Sequence, residues 1–235
     1  MSEFKRKFVQ DFIDDNRWHF ITDGLINTII ITLLALVMGV IIGVIVSIIR
    51  CAYDQRDENS KHYFLAFANA ICKVYIAVIR GTPALVQLLI MYFIVMVTAE
   101  SKIVVAVITF GINSGAYVAE LFRGGIMSVD KGQLEAGRSL GLSYVQTMKK
   151  IILPQAFKAS LPALINEFIA LLKETSICGY IGLNELTRGG DIIRGTTYDA
   201  LLPLLTVALI YFVLVMIISY LASLVERRLR KSDNR

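Results

Sequence analysis

The sequence predicts an all-α membrane protein with five transmembrane helices. Three observations carry that prediction. Residues 24–49 and 200–225 contain no charged side chain; at 1.5 Å per residue, either run outlasts a hydrocarbon core of about 30 Å. Hydrophobic residues make up 56% of the chain and charged ones 18%, where a soluble domain carries about 45–50% and about 25%. The net charge of +5 comes from basic residues gathered at the ends of apolar blocks. Membrane orientation explains that pattern without a nucleic-acid partner.

Residues 1–23 mix Lys5, Arg6, Lys7 and Arg17 with four aspartates, while Phe4, Phe8, Phe12 and Ile13 recur at helical spacing. This reads as an amphipathic helix on the membrane surface. It is not a cleavable signal peptide, because the apolar block behind it is too long and no small-residue cleavage site closes it. The first span is 24–49. Gly39 and Gly43 form a GxxxG in it, which reads either as a helix-packing face or as two tolerated glycines. A charged loop comes next, at 50–61.

Residues 62–80 are amphipathic, with Lys73 and Arg80 embedded, and read as running along the interface before turning inward. Pro83 ends or kinks a helix, and Gly81 frees the backbone beside it. The second span is 80–99, with Gln87 its one polar side chain at depth; an amide there faces the protein interior, to bond a neighbouring helix or a ligand. The third span is 102–122. Asn113, Tyr117 and Glu120 share one of its faces. A polar stripe through a membrane helix faces a cavity or is paired, and Glu120 has Arg123 within reach at i+3.

The segment 131–153 is polar, basic and helix-forming. Gly141 interrupts it, so two short helices should meet at 141–143, with Ser143 as N-cap of the second. Leu140, Leu142, Val145 and Met148 can gather on one side, leaving Arg138, Lys149 and Lys150 basic. This is either an ordinary amphipathic surface loop or a charged knob that docks on a soluble partner. The fourth span, 154–173, is weakly hydrophobic, interrupted by Gln155, Lys158, Asn166, Glu167 and Pro162. Such a helix needs shielding inside a bundle. Lys173, Glu174, Thr175 and Ser176 close it. The next segment, with Gly179, Gly182, Gly189, Gly190 and Gly195, reads as loop-like and mobile. The fifth span is 200–225, and the basic cluster after it belongs in the cytoplasm, as does the tail 231–235. Counting back through five spans puts 131–153 in the cytoplasm and the N-terminus outside. The basic run at Lys5, Arg6 and Lys7 then lies on the disfavoured side.

Three cysteines form no CxxC pair and no disulfide framework, and neither His19 nor His62 has metal-ligand spacing. No phosphate-binding loop, nucleophile elbow or zinc-protease motif occurs. The chain is therefore not expected to be an enzyme or to hold a cofactor or metal.

Glu135, Ala136, Gly141, Ile151, Leu153 and Pro154 stand in the pattern E-A-x(4)-G-x(9)-I-x-L-P. That pattern resembles the cytoplasmic signature of the membrane subunits of bacterial ATP-binding-cassette importers. Arg80-Gly81-Thr82-Pro83, Gly115-Ala116-Tyr117 with Glu120, Arg123-Gly124-Gly125 and Lys173-Glu174-Thr175-Ser176 resemble the polar-amino-acid branch of that family. The resemblance runs from about Trp18 to Arg230. One departure is Gly137, where the pattern often has alanine; glycine costs a helix roughly 1 kcal/mol there.

The resemblance implies the type I importer permease arrangement over residues 24–230, in the bacterial cytoplasmic membrane, with a cytoplasmic coupling helix-turn-helix. It implies a separate ATPase subunit, an extracytoplasmic solute-binding protein, and a second permease subunit of the same or a related chain. Glu135, Ala136, Gly141, Leu142, Ile151, Leu153 and Pro154 would couple to the ATPase, with Leu142, Val145 and Met148 buried against it. For a polar amino acid, Gln87, Asn113, Tyr117, Glu120, Lys173, Glu174, Thr175 and Ser176 would line the path; Lys173 and Glu174 would alternatively form an outer gate or a docking surface. Two other readings are a stand-alone secondary transporter or channel for a small polar solute, against which the lack of an internal repeat argues, and a membrane scaffold.

Overall fold

The structure, a computed structural model, describes residues 3–54 and 63–233, with side chains to residue 228. Most of the expected 50–61 loop and the side chains of the basic tail fall outside the described residues. Those described form only helices and turns. The helices are α1 (Glu3–Phe8), α2 (Trp18–Asp54), α3 (Tyr63–Gly81), α4 (Ala84–Ile90), α5 (Lys102–Ser128), α6 (Lys131–Ser139), α7 (Tyr144–Thr147), α8 (Leu153–Glu174), α9 (Leu186–Thr197) and α10 (Leu201–Asp233). Single π turns extend α1, α4 and α7, over Val9–Ile13, Met91–Val95 and Met148–Ile152.

Four of these helices are long and apolar enough to cross a membrane: Trp18–Asp54, Tyr63–Gly81, Lys102–Ser128 and Leu201–Arg228. The apolar stretch of α5 is the most buried of the four and that of α10 the least. The 22 residues of α8 are long enough but carry too much polarity to stand among them. α2 begins at Trp18, six residues before the charge-free run, because Asp15 and Asn16 adopt left-handed backbone (φ 53° and 54°) and break the chain just upstream. Residues 62–80, expected to run along the interface, form one continuous helix. It stops where Pro83 lacks an N–H and holds extended backbone (φ −64°, ψ 137°). The Thr82 hydroxyl donates to the Val78 carbonyl in the last turn of the helix (2.8 Å).

By contacts the chain falls into two compact units. The first comprises residues 1–36, 83–111 and 168–221. Ile31, Leu88, Phe110 and Leu171 centre one of its cores, and Phe12, Ile21, Leu186, Ile193 and Val207 the other. Residues 182–197, expected to be loop-like, are largely helix α9. Their glycines serve close approach instead of mobility: a Cβ at Gly189 would stand 2.2 Å from the Phe20 carbonyl oxygen, and one at Gly24 would stand 2.6 Å from that of Glu185. Buried polar groups complete the seam. Asn27 donates to the Asn184 carbonyl (2.8 Å), and the Leu186 N–H donates to the Thr28 hydroxyl (3.1 Å).

The second unit comprises residues 37–82, 112–167 and 222–235. Within it the GxxxG of α2 is a packing face against α5 of the same chain. A Cβ at Gly39 would meet Ser114 at 2.9 Å, and one at Gly43 would meet Val118 at 2.4 Å. Gly115 returns the contact to Ile42 and Tyr75, and the Tyr75 hydroxyl donates to the Ile112 carbonyl (2.5 Å). In lipid, apolar side chains gain little from leaving one apolar surface for another, so such small-residue contacts and interhelical hydrogen bonds carry the association.

Candidate functional site

The segment after α5 folds as a helix-turn-helix with each end capped. Asp130 caps α6 by accepting from the Gly132 N–H (2.6 Å). α6 ends in a Schellman motif: the Leu142 N–H donates to the Gly137 carbonyl (3.1 Å) and the Gly141 N–H to that of Arg138 (3.0 Å). This requires Gly141 at φ 80°, in the left-handed region that glycine enters without penalty. Ser143 then caps α7 in a reciprocal capping box with Gln146 (2.8 and 3.2 Å). Two helices are thus reversed in four residues with their terminal backbone groups satisfied, which makes the knob stiff.

Its two faces divide differently from the expectation that Leu142, Val145 and Met148 form one outer surface. Leu140 and Val145 are 80% and 70% exposed, Leu142 is half-buried, and Met148 packs inward with Ile151 and Leu153 on Cys51, Ile126 and Ile152. Gly137 is buried against Thr147 and Ile151, where its Cβ would stand 2.5 Å from the Thr147 methyl. Its small size therefore serves packing within the knob. Glu135, Ala136 and Pro154 are exposed. Beneath the knob lies a cavity of about 400 Å³, floored by Cys51, Ile126 and Ile152 and edged by Asp54, Asp130 and Glu135.

Near the ends of α2 and α5, Glu120 accepts from both Arg50 (3.0 Å) and Arg123 (3.2 Å), and Arg123 also faces Asp54 (3.8 Å). Glu120 is thus committed to a clamp joining the two helices. Farther along α5, Asn113 and Ser114 are buried, and the Ser114 hydroxyl donates to Glu167 on α8 (2.9 Å). Tyr117, one turn from Asn113, lies beneath the Arg80 guanidinium, 5.2 Å from ring centre. Glu167 was visible in the sequence only as an interruption of a weak span. An ionisable residue inside a membrane helix is itself a functional signal, and that signal could have found it.

The remaining expected path residues lie in the first unit. Gln87 is half-buried on α4, and Lys173 and Glu174 are exposed at the end of α8. Thr175 is buried with its hydroxyl on the Leu172 carbonyl (2.7 Å), and Ser176 edges a cavity of about 320 Å³ with Glu185, Arg188 and Asp191. Glu185 carries no sequence signal beyond a Glu before a helix. It is fully buried, capping α9 by accepting from the Thr187 and Arg188 N–H groups (2.8 and 2.7 Å). Asp191 bridges Arg188 (2.8 Å) and Arg194 (2.6 Å), and these guanidinium groups, Arg194 foremost, hold its carboxyl below the usual range. No cluster of three or more metal-ligating side chains occurs among the described residues.

Residues 62–231 match the family of inner-membrane components of binding-protein-dependent transport systems. The chain is 43% identical over 166 residues to the arginine transport system permease protein ArtQ of Bacillus subtilis, covering 69% of this chain and 76% of that one. It is 41% identical over 167 residues to the glutamine transport system permease protein GlnP of Escherichia coli, with the same coverage. Among solved structures, an amino acid ABC transporter crystallised with histidines superposes with a TM-score of 0.79 at 41% identity, over 92% of this chain and 98% of that one. The inward-facing MetNI methionine ABC transporter superposes at 0.76 over 90% and 97%, and at 19% identity shows likeness of fold alone.

Proposed function

This chain belongs to the inner-membrane components of binding-protein-dependent transport systems, and from that premise we propose that it is the permease subunit of an ATP-driven importer of a polar amino acid. The observation that carries the reading beyond the family is the capped knob 131–153, which presents Leu140 and Val145 to solvent. Apolar side chains held out on a stiff, basic turn suit a docking element. The partner is a separate ATPase subunit, and an extracytoplasmic solute-binding protein and a second permease chain complete the transporter. The arrangement is the type I one, with five crossings: α2, one drawn from α3 and α4, then α5, α8 and α10. It places the N-terminus outside and the C-terminus in the cytoplasm. The exposed apolar residues of α10 meet lipid or the second permease chain.

In this reading Glu135, Ala136, Gly141, Leu142, Ile151, Leu153 and Pro154 form the coupling element, each by shape or by holding the knob to α8. ATP-driven closure of the ATPase then moves the knob as a rigid body between two discrete states. The substrate path draws on Asn113 and Tyr117, and also on Ser114 and Glu167, whose carboxylate suits an ammonium or a cationic side chain. Glu120 is assigned to the clamp with Arg50 and Arg123. Gln87, Thr175 and Ser176 serve the path nearer the outer side, and Lys173 and Glu174 its outer gate. The test is Val145→Asp, a substitution at a residue 70% exposed. The variant should insert and purify normally yet fail to co-purify with the ATPase subunit. Normal assembly with normal ATP hydrolysis in that variant would remove the coupling role.

A further inference from the structure

The clamp of Arg50, Glu120 and Arg123 sits where α2 and α5 meet the base of the knob. Glu120 is shared between Arg50 of α2 (3.0 Å) and Arg123 of its own helix (3.2 Å). Arg123 also faces Asp54 at the end of α2 (3.8 Å) and donates to the Met127 sulfur (3.1 Å). Ion pairs thus cross between the two helices in both directions, and the four charges sum to zero. The Arg50 and Glu120 side chains are largely shielded, 13% and 23% exposed. Such a pair is hard to part, because opening it strands each charge in a poorly solvated place. Two turns back along α2, Gly43 and, before it, Gly39 press on Val118 and Ser114 of α5. The seam between these helices is therefore fixed at two levels, by close contact at the glycines and by charge near the knob.

The knob rests on both of the helices that the clamp joins. Its Leu134 and Met148 pack on Cys51 of α2 and Ile126 of α5. Asp54 and Met127, two of the partners of Arg123, line the cavity beneath it. A push on the knob is thus delivered to two helix ends at once. Helices in apolar contact slide past one another in small shear steps; helices locked by ion pairs at that end move together. We propose that this clamp is the transmission element between the knob and the substrate path, with Arg50, Glu120 and Arg123 as the positioning residues that set how much uptake each ATP hydrolysis yields. This rests on the permease reading and adds the place where the motion of the knob enters the helices. Asn113 and Tyr117 of the proposed path precede Glu120 on α5 by about two turns and one turn, so movement of the clamped end reaches them within the same rigid helix.

The test is the ratio of amino acid taken up to ATP hydrolysed, in liposomes holding the permease and ATPase subunits with the solute-binding protein. The probes are labelled L-arginine, L-glutamine and L-histidine. Arg50→Gln and Glu120→Gln should still assemble and hydrolyse ATP, with uptake per ATP lowered roughly threefold to thirtyfold. Arg50→Lys keeps the charge and should recover most of that ratio. The double variant should be no worse than the poorer single one, because both remove the same pair. Uptake and hydrolysis that fall together at an unchanged ratio would reduce the clamp to a structural role and overturn the proposal. A second measurement uses the unbroken clamp: spin labels at Ile48→Cys and Met127→Cys, 45% and 64% exposed, report the distance between α2 and α5. It should be the same with and without ATP, and a distance that changes with nucleotide overturns the proposal even where the charge variants fail to fold. Uptake of none of the three probes by the wild type, or uptake that needs no ATP, overturns the permease reading itself.

Discussion

Gly137 and Glu120 show how far single residues could be read. The recurring family pattern places alanine at 137, and helix propensity agrees. The structure turns that preference around, because a methyl group there would press into the buried Thr147 side chain. Gly137→Ala should therefore destabilise the knob by about 1–2 kcal/mol, overpacking outweighing propensity; thermal unfolding of the purified chain measures it. Gly141 and Ser143 were legible because a positive φ and a cap each demand a particular residue type. Gly137 was not, because its reason lies ten residues away in Thr147. Glu120 was legible as a polar residue on a helix face, and its pairing with Arg123 was within reach at i+3, but Arg50 stands 70 positions away. Glu120→Gln should cost about 1–2 kcal/mol, a figure reduced for partial exposure. A double-mutant cycle with Arg50→Gln should show positive coupling between the two.

At the scale of the element, α9 departed from expectation, and the N-terminal segment shows packing that its pattern did not reveal. The amphipathic pattern of residues 4–13 predicts a helix on the membrane surface; the helix forms, with Phe4, Phe8 and Ile13 exposed, while Asp11 is fully buried and Phe12 joins a core with Ile21 and Leu186. Lys7 reaches Asp199 (3.4 Å). Burial pushes the Asp11 carboxyl above its usual range, with Asp199 adding to the rise and Thr197, Lys7 and Arg17 opposing it. A carboxyl raised on docking favours the docked state below its free pKa, and that contribution is lost as pH rises through the docked value. Asp11→Asn should thus slow amide hydrogen exchange of residues 3–16 relative to wild type at neutral pH. The gap between the two chains should narrow as pH falls toward the carboxylate range; a gap constant with pH would contradict burial as its cause. In α9 the run of glycines was read as flexibility because local sequence cannot distinguish a glycine that bends from one that admits a neighbouring backbone. The contacts of Gly24 and Gly189 make that distinction, and a Gly189→Ala chain should unfold at lower temperature by several degrees.

For the whole molecule, the charge-free runs announced α2 and α10 because lipid leaves a continuous record in composition. α8 left none: Lys158, Asn166 and Glu167 interrupt its 22 residues, so its crossing belongs to the proposed arrangement and not to its hydropathy. α3 is long and apolar enough to cross a membrane, while its Lys73 and Arg80 suit the interfacial course expected of it. The residues proposed for the path were only partly legible, since Ser114 and Glu167 become one feature only when α5 and α8 are brought side by side. In the proposed function, the whole molecule moves an amino acid only when an ATPase moves its knob. The measurement that tests this most directly is ATP hydrolysis by the reconstituted transporter in liposomes, with the solute-binding protein and a panel of amino acids. Stimulation by a polar amino acid, with uptake tied to ATP and both abolished by Val145→Asp, is the predicted result. Uptake that proceeds without ATP or without the ATPase subunit would contradict it and make the chain a carrier working alone.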